Sequence, residues 1–213
     1  HTARLVECFN SVCYFSRNFE VIALELSPED VVKMKGYQVR AIETRHSVPS
    51  LGYILEEDQR LGRFDRDAAL SLGVPPGPLF GRLQHGHEVA VEGRVVQPQQ
   101  VMGPPRPGRK VVYTGDTRPC RSVEDASRGA DLLIHDSALA SDMIEWAMET
   151  KHSTAKEAAE LARRAGVRHL ILTHISSRYS EDSSQLLNEA RLIFEKTDVA
   201  EDLMSLEIRF KDE

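Results

Sequence analysis

Several apolar segments of this chain end in a side chain that can bind a metal ion. Three of these side chains are His46, Asp116 and His174, and a fourth segment ends in His135 and Asp136. After residue 109, short apolar segments alternate with helical patterns, which predicts an α/β fold (α+β in some classification schemes). Sites in such proteins form at strand ends, where a rigid sheet meets accessible loops.

These residue types suit a metal site. Imidazole is a common zinc ligand, and a carboxylate such as Asp116 can bridge two ions. Metal ions bridged in this way lower the pKa of a bound water and provide hydroxide at neutral pH. A histidine after a strand is also a common structural residue, so spacing alone leaves a metal site and ordinary structural histidines both open.

Composition limits the classes of protein that fit. The chain has 213 residues, 41% of them hydrophobic and 28% charged, which is typical of one large globular domain or two small ones. The net charge of −6 restricts nucleic-acid binding to a local patch. No apolar run is long enough to span a membrane, so we expect no membrane partner.

The cysteines indicate the compartment. Cys8, Cys13 and Cys120 cannot all pair, and their spacing fits neither a zinc ribbon nor a disulfide framework. We therefore expect a reducing, cytoplasmic location.

The hydrophobic patterns predict a core interrupted by one insertion. We assign residues 1–56 and 109–213 to the core, and residues 57–108 to a protruding arm that contributes little buried surface. Thr154 and Glu157 form a capping box for a helix that ends at Gly166. The predicted strands of the core lie at 19–26, 37–46, 52–56, 111–113, 131–136, 169–173 and 203–210, and its helices at 141–150, 155–165 and 183–195.

Motifs in a fixed order resemble a known family. They begin at His46 (HSVPSLGY), Gly115 (GDTR), Leu133 (LIHDS), Lys151 (KHSTA) and Leu172 (LTHISSRY). Together with VPPGP at 74–78 in the predicted arm, this set resembles ribonuclease Z, the tRNA 3′-processing endonuclease of the metallo-β-lactamase superfamily. The resemblance runs from about residue 20 to 210 and implies a four-layer αβ/βα sandwich.

The resemblance implies roles for the strand-end residues. His46 and His174 would be terminal ligands of two zinc ions, which Asp116 would bridge. His152 would be the catalytic general acid that protonates the leaving 3′ oxygen. Asp136 stands where relatives commonly have glutamate, and would orient His152 or a ligand.

The resemblance also implies contacts with the RNA. Ser176 and Arg178 would hold a phosphate, although a solvated arginine after a strand is an equally good interpretation of Arg178. The glycine-proline segment would be part of a tRNA-binding arm, which is also rich in arginine. Its residues are Gly73, Pro75, Pro76, Gly77 and Pro78.

One diagnostic motif of the superfamily does not occur in this sequence. The motif His-x-His-x-Asp-His would precede His46, but the only histidine before His46 is His1. The chain also does not start with methionine. His85-Gly86-His87 has the spacing but follows His46 and is not continued by Asp-His. We therefore expect an N-terminal half that is missing here or is a separate chain, and expect the chain as written to be inactive alone.

The leading hypothesis is a zinc-dependent endoribonuclease that removes the 3′ trailer of precursor tRNA. The resemblance implies two Zn²⁺ per complete site, with Mn²⁺ or Mg²⁺ as alternatives, and a homodimer in which one subunit holds tRNA for the other. Two alternatives stay open: another phosphodiesterase or hydrolase of the superfamily, and a non-catalytic subunit that binds RNA or dimerises.

Overall fold

The computed structural model describes residues 2–12 and 19–211, and it divides the chain into two compact units. The core unit comprises residues 1–56 and 110–209. The insert unit comprises residues 57–109 and 210–213. Within the described residues, the helices are all too short or too polar to cross a lipid bilayer.

In the part of the chain that the structure describes, the core unit is organised around one sheet of seven strands. In chain order these are β1 (Val31–Met34), β2 (Tyr37–Glu43), β3 (Leu51–Glu57), β6 (Lys110–Tyr113), β7 (Leu132–Asp136), β8 (Leu170–Thr173) and β9 (Thr197–Val199), and they neighbour one another in the same order. β1 pairs antiparallel with β2, and β3 antiparallel with β6. From β6 to β9 all pairs are parallel.

The parallel half of the sheet positions the polar strand ends. Because β6, β7 and β8 run in the same direction, the residues that follow them emerge at one edge of the sheet. Asp116 follows β6, Asp136 ends β7 and His174 follows β8. The mixed sheet with its helices confirms the predicted α/β class.

Helices of the core unit cover the buried face of the sheet. Alternate strand residues such as Ile54, Val112 and Leu133 are fully buried in one cluster with the alanines of α6. Exposed Tyr53 and Tyr113 form a cross-strand pair, and alternation places them on the opposite face. The helices that contribute to this cluster are α4 (Arg121–Ser127), α6 (Ala155–Ala165) and α7 (Ser184–Arg191). The core unit also contains α5 (Ile144–Thr150) and α1 (Thr2–Val12), and α1 buries no residue.

Helix α6 has the predicted bounds. The Thr154 side chain accepts a hydrogen bond from the Glu157 backbone N–H, and the Glu157 carboxylate accepts one from the Thr154 backbone N–H. Gly166 follows the helix with φ 64°, the left-handed conformation that glycine adopts without strain. The predicted capping box is confirmed.

The insert unit has a small core of its own. It contains α2 (Arg66–Ser71), α3 (Pro78–Gln84) and a two-stranded sheet of β4 (Val89–Val91) and β5 (Arg94–Val96). Six apolar side chains are buried together there: Ala69, Val74, Leu83, Val89, Val96 and Val101. The expectation that this stretch contributes little core was wrong, because short elements closed by glycine and proline turns still bury one face each.

Two predicted strands are absent. Residues 20–26 and 204–210 have no regular secondary structure, although both alternate in hydrophobicity. Alternation alone does not make a strand when no neighbouring strand pairs with the segment. The last strand of the sheet is instead β9, and the predicted helix at 183–195 is shorter, because α7 ends at Arg191.

Candidate metal centre

Three side chains of the core unit could hold a metal ion together. One ligand atom from each of His46, Asp116 and His152 lies within 4.8 Å of the others, and all three residues are partly buried. His46 follows β2 and Asp116 follows β6, whereas His152 precedes α6. The centre therefore draws on segments that are more than a hundred residues apart in sequence.

The ring of His46 is oriented by the backbone. Its Nδ1 lies 3.1 Å from the Lys151 carbonyl oxygen. A carbonyl can only accept, so Nδ1–H donates and Nε2 keeps its lone pair for a ligand. Lys151 has a left-handed backbone with φ 63°, which is strained for a residue other than glycine.

The ring of His152 is oriented by a buried carboxylate. Its Nδ1 lies 2.8 Å from Oδ2 of Asp136, whose side chain is fully buried. The same Oδ2 accepts the Thr117 backbone N–H at 2.9 Å, and Oδ1 accepts the Ala138 backbone N–H at 3.1 Å. Nδ1–H of His152 therefore donates to Asp136, which leaves Nε2 directed away from that carboxylate.

His174 contacts both Asp116 and His152. Its Nδ1 is 3.4 Å from Oδ1 of Asp116, and its ring stacks on His152 with 4.8 Å between centroids. His174 also has a left-handed backbone, with φ 60°. The structure thus brings together all four residues of the predicted site, and His46, Asp116 and His152 form the tightest group.

One arginine connects the loops that carry these residues. The Arg118 guanidinium forms a two-pronged ion pair with Glu157 and donates to the His152 carbonyl oxygen at 2.6 Å. Its backbone N–H donates to the Arg45 carbonyl oxygen at 2.8 Å, next to His46. Both side chains of the ion pair are largely buried, at 14% and 20% exposed.

His135 lies in the interior, unlike the other strand-end histidines. Its side chain is fully buried, and Nδ1–H donates to the Asp136 carbonyl oxygen at 2.7 Å. Within the described part of the chain, Nε2 has no hydrogen-bond partner. Burial, which disfavours the charged ring, lowers the pKa of His135 below its usual 6.5. At the end of β7, Asp136 contacts the site and His135 does not.

A cavity of about 390 Å³ opens beside the histidines. His152, His174, Ser176 and Arg178 line it together with Trp146 from α5. Arg178 is exposed, and its guanidinium lies 3.4 Å from the Ser176 hydroxyl. The two residues predicted to bind phosphate are therefore neighbours of His152 and His174.

The predicted glycine-proline residues belong to the insert unit. Gly73 and Gly77 have φ of 81° and 146°, which only glycine adopts without strain. Pro78 starts α3, where its fixed φ suits the first turn and its missing N–H costs nothing. Pro75 and Pro76 lie in the connection between the two glycines.

Sequence patterns missed Arg118, Glu157 and Trp146 as site residues. Arg118 follows Asp116 by two positions, and Glu157 was recognised only as a cap. Trp146 is the one tryptophan of the chain, which was the available signal.

Relatives of known sequence identify the family. A family model described as a β-lactamase superfamily domain matches residues 82–175. A protein of Methanosarcina acetivorans named Ribonuclease Z is 56% identical over 212 residues, which cover 100% of this chain and 70% of the relative. One of Archaeoglobus fulgidus with the same name is 48% identical over 205 residues, covering 96% and 67%.

Solved structures agree on the fold. A metallo-β-lactamase fold protein of Bacillus subtilis, YhfI, matches with a TM-score of 0.56 at 19% identity, over 92% of this chain and 58% of its own. Human tRNase Z, short form, matches with a TM-score of 0.50 at 22% identity, over 85% and 48%. The predicted metallo-β-lactamase fold is confirmed.

The fold and the cluster of histidines and aspartate define a protein of the β-lactamase superfamily. Within it, the chain belongs to the ribonuclease Z family, a family of metal-dependent endoribonucleases, and spans about 70% of the length of its relative from Methanosarcina acetivorans.

Proposed function

We propose that this chain carries active-site residues of a zinc-dependent endoribonuclease that removes the 3′ trailer from precursor tRNA. The observation that carries the proposal is the grouping of His46, Asp116 and His152 within 4.8 Å in a chain of the ribonuclease Z family. The orientation of the two imidazoles, each held at Nδ1, supports it.

The residues present fit a zinc site. The imidazoles of His46 and His174 and the carboxylate of Asp116 are ligands that zinc prefers. We assign His46, Asp116 and His174 to the metal and His152 to proton transfer, as the family resemblance implies. When bound, the metal would activate a water molecule for attack on the phosphodiester.

His152 is the residue we propose as general acid. As the bond between phosphorus and the 3′ oxygen breaks, a proton from Nε2 passes to that leaving oxygen, while the attacking water gives up its own proton to solvent. The Asp136 carboxylate stabilises the protonated ring through Nδ1–H, 2.8 Å away. The alternative role for His152 is that of a metal ligand, and this role would require a neutral ring.

Other residues of the chain would hold the RNA. Arg178 and Ser176, beside His152 and His174, are proposed to bind a phosphate group near the scissile bond. The insert unit, with seven arginines and six acidic residues between 57 and 109, is proposed as the tRNA-binding arm. The homodimer, the cytoplasmic location, the choice of zinc over manganese or magnesium, and a separate N-terminal half stay predictions.

The experiment measures cleavage of a precursor tRNA together with metal content. It uses the 213-residue chain and the longest natural form of the protein. We expect His46→Ala and Asp116→Ala to lose both metal and cleavage. We expect His152→Ala to retain metal and to slow the chemical step by about 10²- to 10⁴-fold.

Two further variants separate the roles. Asp136→Asn should lower cleavage by about 10- to 100-fold, because an amide cannot accept from His152 and from both backbone N–H groups. His169→Gln is the matched control, since His169 pairs with Asp198 away from the site. Loss of metal in His152→Ala would make His152 a ligand. Wild-type cleavage by all three alanine variants would refute the site, and tRNA binding without cleavage would favour the non-catalytic subunit.

A further inference from the structure

We propose that Trp146 is a base-stacking platform for the nucleotide next to the scissile phosphate. The inference rests on the proposed function and adds a subsite to it, formed by Trp146 and Arg178 in the cavity beside His152. The ligand it would take is an unpaired nucleotide of the RNA, held by its base and its phosphate.

The position of Trp146 calls for an explanation. It is the only tryptophan of the chain, and 45% of it is exposed at the surface of α5. A large aromatic side chain left in water forgoes the stabilisation that its burial would provide. Among the described residues, no aromatic ring stacks on the indole, and its exposed part is open to a planar ligand.

Buried residues anchor the helix that carries Trp146. The next residue, Ala147, is fully buried in a small cluster with Ala138 and Leu139, against which Tyr179 packs. The Ala140 backbone N–H donates to the Tyr179 hydroxyl at 3.1 Å, which fixes the segment that precedes α5. A residue on an anchored helix loses less conformational entropy when a nucleotide base stacks on it.

The chemistry of the cavity fits a nucleotide. Its volume of about 390 Å³ falls within the range of about 300–1,000 Å³ usual for small-ligand sites. The indole offers a flat apolar face, and the Arg178 guanidinium offers a positive charge that forms no ion pair within residues 2–12 and 19–211. An aromatic ring beside a free cation is how proteins bind single-stranded RNA, through the base and the phosphate respectively.

The residues that line the cavity indicate that this nucleotide lies next to the scissile bond. His152 and His174 line the same cavity, so a nucleotide stacked on Trp146 would have its phosphate beside the proposed general acid. The precursor is unpaired where the trailer joins the tRNA, and an unpaired base can leave its neighbours and stack on protein. Stacking would add to the affinity for the RNA without selecting strongly among bases.

Fluorescence tests binding without requiring cleavage. Because Trp146 is the only tryptophan of the chain, its emission reports directly on stacking. The probe is a short single-stranded RNA that spans the cleavage junction, titrated into metal-free protein. We expect quenching by this RNA and weaker quenching by the same RNA made abasic on both sides of the junction. Equal quenching by the two RNAs would overturn the subsite.

Substitutions test the subsite during turnover. Loss of a stacked base weakens binding by roughly 5- to 150-fold, so Trp146→Leu should raise KM for precursor tRNA by about that factor, with kcat little changed. Trp146→Phe keeps an aromatic face and should restore most of the affinity. Met148→Ala is the matched control, because Met148 is also exposed on α5 but does not line the cavity.

The outcomes separate the subsite from the proposed function. If wild-type protein cleaves, and Trp146→Leu has wild-type KM, the subsite is refuted while the proposed function stands. If wild-type protein never cleaves precursor tRNA but the base-dependent quenching occurs, the proposed function fails and the subsite remains.

Discussion

The core unit and the insert unit use their residues in different ways. In the core unit, side chains from residues 46, 116, 152 and 174 meet because a seven-stranded sheet fixes the distances between them. In the insert unit, six small or medium side chains are buried among elements of three to seven residues that follow closely in sequence.

The difference shows what each task requires. Chemistry at a phosphodiester needs atoms held to fractions of an ångström, which a sheet with long-range contacts provides. The role proposed for the insert, holding RNA by its backbone, needs charge on a stable but smaller support. The insert carries seven arginines against six acidic residues between 57 and 109, so the acidic excess of the chain lies in the core.

The largest change in stability that would test this comparison is expected from a steric clash introduced inside the insert unit. A Cβ atom on Gly62 would lie 1.9 Å from the Gly103 carbonyl oxygen, so Gly62→Ala should destabilise the insert by roughly 3 kcal/mol. Hydrogen exchange should accelerate in peptides from 57–109 and not in peptides carrying Asp116 or His152. Gly81→Ala is the control, because a Cβ there meets open space and alanine favours the helix.

A comparable break in the core unit is removal of the Arg118 guanidinium. Arg118→Ala leaves the Glu157 carboxylate and the His152 carbonyl oxygen without their shared donor, and should cost about 2–3 kcal/mol on denaturation. Arg118→Lys keeps the positive charge but not the two-pronged geometry of the guanidinium, so the loss in free energy of unfolding should be intermediate. Unchanged exchange at residues 150–157 would contradict the linking role of the Arg118 guanidinium.

The buried His135 predicts how core stability depends on pH. Its pKa is lowered in the folded chain, so below about pH 6.5 the unfolded chain binds a proton that the folded chain does not. The free energy of unfolding should therefore fall with pH below that value, by up to about 1.4 kcal/mol per unit. His135→Leu should remove this part of the slope, and parallel curves for the two proteins would refute it.

The smallest expected effect concerns the strained backbone at Lys151. Its left-handed φ of 63° suits glycine, so Lys151→Gly should stabilise the core by about 0.5–1 kcal/mol while keeping the carbonyl that orients His46. Thermal denaturation measures the gain. Lys151→Ala keeps the strain and should show none, so an equal gain from alanine would mean that the lysine side chain is responsible.

Local signals predicted the core unit best. The capping box at Thr154 and Glu157 and the stop at Gly166 gave helix α6 its bounds, because caps depend on neighbouring residues only. The strands before His46 and His174 were predicted for a similar reason. The segments at 19–26 and 203–210 were misjudged, since a strand depends on a partner that local alternation does not reveal.

The residues of the site could also be predicted only where the local sequence carries a signal. Residue type and position at strand ends selected His46, Asp116 and His174, and the family resemblance added His152. The ion pair of Arg118 with Glu157 joins residues 39 positions apart, and no pattern in either segment predicts the other. His135 was grouped with Asp136 because they are adjacent, although only the structure shows that its ring lies in the core.

The insert begins and ends on neighbouring strands, which has a consequence for how the family can diversify. β3 and β6 are already hydrogen-bonded to each other, and the Glu57 N–H donates to the Arg109 carbonyl oxygen where the two strands open into the insert. Any segment whose ends meet at this spacing can connect them. Evolution can therefore lengthen, replace or delete this insert by a single insertion or deletion, without disturbing the strand register that holds Asp116 in place.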